Sequence, residues 1–193
     1  MGQLNFLMLV SLDGFIEDPS GRYDWAEPDA EVHRFVNDLS RPIGTHLYGR
    51  RMYEVMSAWQ TLGEDPREEP AIVDFGRLWR DADKVVFSST LDGTTTARTT
   101  LERRFDPELV RSLKESSERD LAIGGPALAA QAFEAGLVDT VHLFVVPIIV
   151  GGGKAALPKG VRFELKLEAT RQFGNGTTYL RYGVRSERDA LVR

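Results

Sequence analysis

From Asp139 onward the chain leaves no room for a helix. Val141–Val150, Arg162–Glu168 and Thr177–Arg185 read as strands separated only by turns. Before that point, strands and helices alternate. A strand–helix–strand unit returns the chain parallel to its first strand, whereas strands joined by short loops pair antiparallel. The expected fold is therefore α/β, a mixed sheet that is parallel early and antiparallel at its C-terminal end. There is no repeat and no linker, so one domain over 1–186 is expected, followed by a charged, flexible tail at 187–193.

The individual elements follow from local pattern. Gln3–Ser11 is nearly continuous in apolar residues, as a strand covered on both faces requires. Val32, Phe35, Val36 and Leu39 recur at helical spacing after Pro28-Asp29, and Arg41-Pro42 stops the helix. Thr45–Tyr48 is a strand leading into a helix with Met52, Tyr53, Val55 and Met56, and Thr61–Pro70 is an acidic surface loop. Val73, Phe75, Leu78 and Trp79 predict a helix, and Lys84–Ser88 a strand. Asp106 caps a helix that starts at Pro107; Leu121–Ile123 is a strand. The alanine-rich run from Pro126 to Ala135 is helical, with Gly136 as its C-terminal cap.

Bulk properties remove several function classes. The formal charge of −5 argues against nucleic acid as a partner. The absence of cysteine excludes disulfides, thiolate catalysis and cysteine-bound zinc, and suits a reducing, cytoplasmic setting. Phe6–Val10 lacks a basic flank and is interrupted by Asp13, so it is read as a buried strand rather than a signal peptide. No apolar run is long enough to span a membrane. His33, His46 and His142 have no mutual ligand spacing, so no metal site is expected and each reads as a surface or packed histidine.

Three strand-to-helix junctions carry the chemistry. Gly124-Gly125-Pro126 lets an anion approach the backbone at a helix start, although Pro126 removes one donor. Gly49-Arg50-Arg51 places two cations at the positive end of a helix, which an anionic ligand would offset. Ser88-Ser89-Thr90 adds hydroxyls at a third strand end. Open α/β sheets bind ligands beyond the carboxyl ends of their strands, so the three together suggest one site. A fourth glycine cluster, Gly151-Gly152-Gly153-Lys154, fails as a phosphate loop: Val146-Pro147-Ile148 replaces the first glycine and Ala155 the hydroxyl residue. Tyr23 and Trp25 either line a pocket or cover an end of the core.

The order of these pieces resembles the dihydrofolate-reductase-like superfamily. Within it, the chain is most similar to the C-terminal reductase domain of the bacterial riboflavin-biosynthesis deaminase-reductase and its stand-alone relatives. The residues concerned are Ser11-Leu12-Asp13-Gly14-Phe15-Ile16, Gly49-Arg50-Arg51-Met52-Tyr53, Val86–Leu91, Ile123–Pro126 and Pro147–Gly153. The resemblance implies a three-layer fold with a mixed, mostly parallel sheet of about eight strands flanked by helices, and NADPH across the carboxyl ends.

Carried over by position, it implies that Gly49, Arg50 and Arg51 face the adenosine-side phosphates. Ser88 and Ser89 would meet the adenine ribose and its 2′-phosphate, and Gly124, Gly125, Ala127 and Leu128 the pyrophosphate. Leu9 and Ile16 would flank the nicotinamide; Trp25, Gly151, Gly152 and Lys154 would border the substrate. Asp13, in the loop that closes over the reacting ring, and Glu31, with Asp29 as a possible substitute, are the implied catalytic acids. Met52 stands where dihydrofolate reductases carry threonine.

The implied activity is NADPH-dependent hydride transfer to a small heterocyclic or ribosylated acceptor, as in 5-amino-6-(5-phosphoribosylamino)uracil reduction. A dihydrofolate or pteridine reductase and a non-catalytic nucleotide- or pterin-binding module of the same fold are the alternatives. The fused deaminase would need a cysteine-containing zinc motif that this chain lacks. The family also implies a homodimer paired through late strands, with Val141–Val150 as the candidate segment.

Overall fold

A computed structural model describes residues 1–185, so the segment expected to be a flexible tail, 187–193, lies outside the described residues. The chain opens with β1 (Leu4–Ser11) and β2 (Phe15–Glu17), then α1 (Ala30–Ser40), β3 (Ile43–Gly49), α2 (Arg50–Met56) and α3 (Pro70–Asp81). It continues with β4 (Asp83–Phe87), β5 (Thr99–Glu102), α4 (Pro107–Ser116), β6 (Asp120–Gly124) and α5 (Pro126–Glu134). It ends with β7 (Thr140–Val146), β8 (Lys154–Ala155), β9 (Leu165–Gln172) and β10 (Thr178–Val184).

Eight strands form one sheet in the order β5-β4-β3-β6-β1-β7-β10-β9. β1 pairs parallel with β6 and β7, β3 with β6 and β4, and β4 with β5. β10 runs antiparallel to both β7 and β9, which is the change of direction anticipated after Asp139. Because every strand from β5 to β7 points the same way, their carboxyl ends share one edge.

Alternation within each strand divides the sheet into two faces. Leu4, Phe6, Met8 and Val10 of β1 join Leu47, Ile123, Val141 and Val110 in a core under α4 and α5. The Phe6 and Phe133 rings meet edge-on with centroids 5.6 Å apart. On the opposite face, Val32 and Phe35 of α1 pack on Phe144, Phe173 and Tyr179. Tyr53, Trp79 and Val86 form a third cluster under α2 and α3.

Helix ends follow their local chemistry. Asp29 caps α1 by accepting the Val32 N–H at 2.9 Å, and Asp106 caps α4 ahead of Pro107. Gly136 closes α5 by donating its N–H to the Phe133 carbonyl. Lys84, although almost wholly buried, donates to the carbonyls of Trp79 and Ala82 and lies over the Trp79 ring, closing the end of α3.

Several expected boundaries shift. The late strand expected at Arg162–Glu168 is β9, Leu165–Gln172, and the Val141–Val150 strand ends at Val146. β2, β5 and β8 were not anticipated. β2 and β8 form a separate two-stranded ribbon, with Phe15 opposite Ala155 and Glu17 opposite Lys154. No helix among the described residues is long and apolar enough to cross a membrane.

Candidate active site

The three junctions come together at the carboxyl edge. Gly49 is in register with Phe87, and Tyr48 with Gly124, so the ends of β4, β3 and β6 lie side by side. A Cβ on Gly49 would stand 3.8 Å from Cβ of Leu128, which brings the first turn of α5 against the end of β3. Leu128 itself is buried in the core and exposed Ala127 carries only a methyl, so both would act through backbone N–H groups. Those two amides precede the first α-helical donor of α5, Ala129, whose N–H reaches the Gly125 carbonyl.

Glycine is required at this turn. Gly125 has φ of +90°, and a Cβ on Gly124 would press on the Tyr48 ring at 3.0 Å and Met52 at 3.1 Å. With its free amides and flanking arginines, the cradle fits a dinucleotide pyrophosphate. Arg50 donates to Thr90 Oγ1 at 3.1 Å and pairs loosely with Glu54, while Arg51 is exposed. Arg50 thus links the junction after β3 to the one after β4.

Ser88 departs from expectation. Its buried Oγ accepts the N–H groups of Thr90 and Leu91, so it shapes the turn rather than facing outward. Ser89 and Thr90 are the exposed hydroxyls there. Leu9, half-buried, lies on the α1 face, and Ile16 packs against the opposite core.

The two implied acids are committed elsewhere. Asp13 accepts the Gly151 N–H at 2.8 Å and the Val150 N–H at 3.2 Å. The Ser11 hydroxyl foremost, then these two amides, hold its carboxyl below the usual range. A carboxylate kept ionised by donors is a poor source of protons, and its position makes it a strut between two loops. Glu31 accepts Arg171 Nη2 at 3.0 Å and the Gly174 N–H at 3.1 Å, tying α1 to the β9–β10 turn. The implied substitute, Asp29, is the α1 cap. Sequence pattern shows a carboxylate but not which donors it has already met.

Trp25 donates its indole N–H to the Arg22 carbonyl at 3.3 Å, in a short 3-10 turn over Asp24–Ala26. Gly151, Gly152 and Gly153 turn the chain into β8, where Lys154 stands half-buried opposite Glu17. Leu12 N–H to Ile148 and Ala156 N–H to Gly14 complete the join between the Asp13 loop and the glycine loop.

Inside the edge lies a cavity of about 230 Å³ between the sheet and the helices α1, α2 and α3. Tyr48, Met52 and Gly124 line it at the junction end, and Asp38 and Asp120 are the carboxylates among the described residues that line it. Asp120 opens β6 and Asp38 sits in the last turn of α1, so both lie at the far end. Sequence reasoning missed this cavity and its two histidines, His46 and His142. Both are buried, and burial lowers them to about 3 and about 4, so both are neutral. Among the described residues no three His, Asp or Glu side chains come together as a metal site would require.

The model of the RibD C-terminal domain family matches residues 3–179. The chain belongs to this family. It is 31% identical over 179 residues to the uncharacterized protein YyaP of Bacillus subtilis strain 168, covering 91% of each chain. In structure the RibD-type fold recurs in a Shewanella sp. PV-4 protein named for riboflavin biosynthesis. That likeness has a TM-score of 0.73 at 18% identity, over 96% of this chain and 100% of that one. A diaminohydroxyphosphoribosylaminopyrimidine deaminase/5-amino-6-(5-phosphoribosylamino)uracil reductase from Thermotoga maritima matches at 0.66 and 16% identity. There the match spans 95% of this chain and 57% of that one. The dihydrofolate-reductase-like architecture expected from sequence is therefore present.

Proposed function

We propose that this chain is an NADPH-dependent reductase acting on a small uncharged heterocycle, or on a sugar attached to one, as the name of the Thermotoga maritima relative suggests. The observation that carries the reading is the alignment of Gly49–Arg51, Ser88–Thr90 and Gly124–Leu128 along one sheet edge. When bound, NADPH supplies a hydride from C4 of its nicotinamide. The chain's part is to bind, orient and exclude water. Gly124 and Gly125 leave room for the pyrophosphate, and the Ala127 and Leu128 amides donate to it. Arg50 and Arg51 offset the adenosine-side phosphates, with Ser89 beside them. Leu9 and Ile16 bracket the nicotinamide, and the β2–β8 ribbon, pinned by Asp13, screens the reacting edge. Lys154, opposite Glu17 in the ribbon, borders the acceptor. With Asp13 and Glu31 engaged as struts, the proton comes from water.

Arg51→Ala is expected to weaken NADPH binding about tenfold and NADH binding much less, since we assign the exposed Arg51 to the 2′-phosphate. Fluorescence titration with both coenzymes checks this, and equal losses would contradict the assignment. The engagement of both acids favours one second reading, a binding module without turnover. Tight NADPH binding with no oxidation across a panel of pteridines and aminouracils would support it.

We further propose that the protein is a homodimer paired along β9. The Val141–Val150 segment considered from sequence cannot supply a free edge, because β7 is enclosed by β1 and β10. β9 is one of the two edge strands of the sheet, β5 being the other; all eight residues of β9 are exposed, Leu167 at 52%. A long edge strand with unpaired backbone groups is a template for another chain. Light scattering should give twice the chain mass, falling to one for Leu167→Asp; a monomeric wild type would refute the pairing.

A further inference from the structure

Tyr53 has a task that its place in an apolar cluster does not explain. It is buried on α2, three residues beyond Arg50. Its hydroxyl oxygen accepts two successive backbone N–H groups of the β4–β5 loop, Thr95 at 2.8 Å and Thr96 at 3.2 Å. Those bonds use both lone pairs, which leaves the hydroxyl proton for Thr96 Oγ1, 3.1 Å away. Thr96 Oγ1 meets Thr99 Oγ1 at 2.8 Å, and Thr99 donates in turn to the Ala97 carbonyl at 3.0 Å. One phenol therefore organises the chain from Thr95 to Thr99. The sequence separations are 42 and 43 positions, so no local pattern shows it.

The loop is fixed at both ends as well. At its start, Ser88 Oγ holds the Thr90 and Leu91 N–H groups. Arg103 donates to the Leu91 carbonyl at 2.6 Å, and Arg50 to Thr90 Oγ1. At its far end Arg98 is the one non-glycine residue among the described residues with a left-handed backbone, at φ of +55°. Such a conformation persists where the surroundings impose it. Here the Arg98 carbonyl accepts the Lys84 N–H at 2.8 Å, and its guanidinium pairs with Asp83 at 2.9 Å. Between the ends, Ser89, Thr90, Asp92, Gly93 and Thr95 are exposed. Tyr53 is the buried anchor of this middle stretch, and Gln60 adds one bond to the Ala97 N–H at 3.2 Å.

α2 thus carries two parts of one device. The Arg50 and Arg51 side chains stand beside the Ser89 and Thr90 hydroxyls, and Tyr53 grips the loop that bears those hydroxyls. The distance between cations and hydroxyls is set by that grip.

We infer that Tyr53 is a positioning residue for coenzyme choice. By holding the 89–96 loop against α2, it sets the preference for a 2′-phosphorylated over an unphosphorylated dinucleotide. The inference rests on the reductase reading, which supplies the dinucleotide. NADH presents no phosphate to the loop hydroxyls, so a loosened loop costs NADPH far more.

Tyr53→Phe keeps the ring and removes the hydroxyl, leaving the Thr95 and Thr96 N–H groups without it. Fluorescence titrations with NADPH and with NADH read the ratio of the two affinities. In Tyr53→Phe that ratio is expected to fall about fivefold or more, with NADH affinity nearly unchanged. Thr96→Val cuts only the hydroxyl chain; it should lower the ratio about twofold, and it decides the matter if Tyr53→Phe folds poorly. Tyr179→Phe is the control. It removes a hydroxyl bonded to His142 elsewhere on the sheet, so it should cost stability and leave the ratio at its wild-type value. Hydrogen exchange should show the amides of 95–97 losing protection in Tyr53→Phe and keeping it in Tyr179→Phe. A wild type that prefers NADPH, with the ratio unchanged in Tyr53→Phe and Thr96→Val or lowered as much in Tyr179→Phe, overturns the inference alone. A wild type that binds the two coenzymes equally overturns it as well. A wild type that binds neither sinks the reductase reading, and the inference with it.

Discussion

Gly153→Ala is expected to open the β2–β8 ribbon and to cost about 3 kcal/mol or more locally. Gly153 has φ of +120°, where an L side chain is strained, and an added methyl would overlap the Glu17 carbonyl oxygen. That oxygen belongs to the strand paired with β8, so relief requires the two strands to part. Gly151→Ala is the control. Its φ of +76° carries similar strain, but an added methyl meets nothing within 4 Å, and a cost of about 1 kcal/mol is expected. Hydrogen exchange separates the two. In Gly153→Ala the amides of 12–17 and 148–156, including the Gly151 N–H held by Asp13, should lose protection while the β1–β7 ladder keeps it. If the ribbon screens the reacting edge, turnover should fall about tenfold or more with little change in NADPH affinity.

A second large effect is expected on acidification. His46 and His142 titrate near 6.5 when unfolded, but burial lowers them to about 3 and about 4 in the fold. Between those limits the unfolded chain binds more protons than the native one, so stability rises with pH there. The contribution is whole above 6.5 and is lost as pH falls, through about 4 for His142 and about 3 for His46. Each is worth on the order of 3 kcal/mol, together a large part of a typical domain's stability. Near pH 5 both sites together give a slope on the order of 2 to 3 kcal/mol per pH unit. Urea unfolding at successive pH values measures it. His142→Gln, which can still reach toward Asn5 or Tyr179, should halve that slope even if it lowers stability throughout. An unchanged slope would mean that His142 is protonated in the fold.

Sequence and structure part at identifiable places. The helix caps at Asp29 and Asp106 and the turn at Gly124-Gly125 were legible because their chemistry is local. The change from parallel to antiparallel pairing was legible because loop length controls strand direction. β2, β5 and β8 were not, since strands of three, four and two residues carry no measurable alternation. β9 was legible as a strand but not in its bounds, because its eight residues are all exposed and show no buried face to fix where it starts and ends. In the site, the glycines and arginines stood out in the sequence because a phosphate needs room and charge, which is the ground on which they are proposed. The long-range donors that tie Asp13 and Glu31 down, the Gly151 N–H and Arg171, were not legible because they lie at separations of 138 and 140. His46 and His142 looked unremarkable singly, and only strand register puts them in one cavity.

The most direct test of the account is NADPH itself. Titrated with NADPH, the purified protein should show saturable quenching of tryptophan fluorescence with a micromolar Kd, and Arg51→Ala should weaken it about tenfold. NADPH absorbance should then decay when an uncharged aminouracil or its ribosylated form is added. A protein that leaves NADPH unbound at high micromolar concentration contradicts the account, whatever its fold.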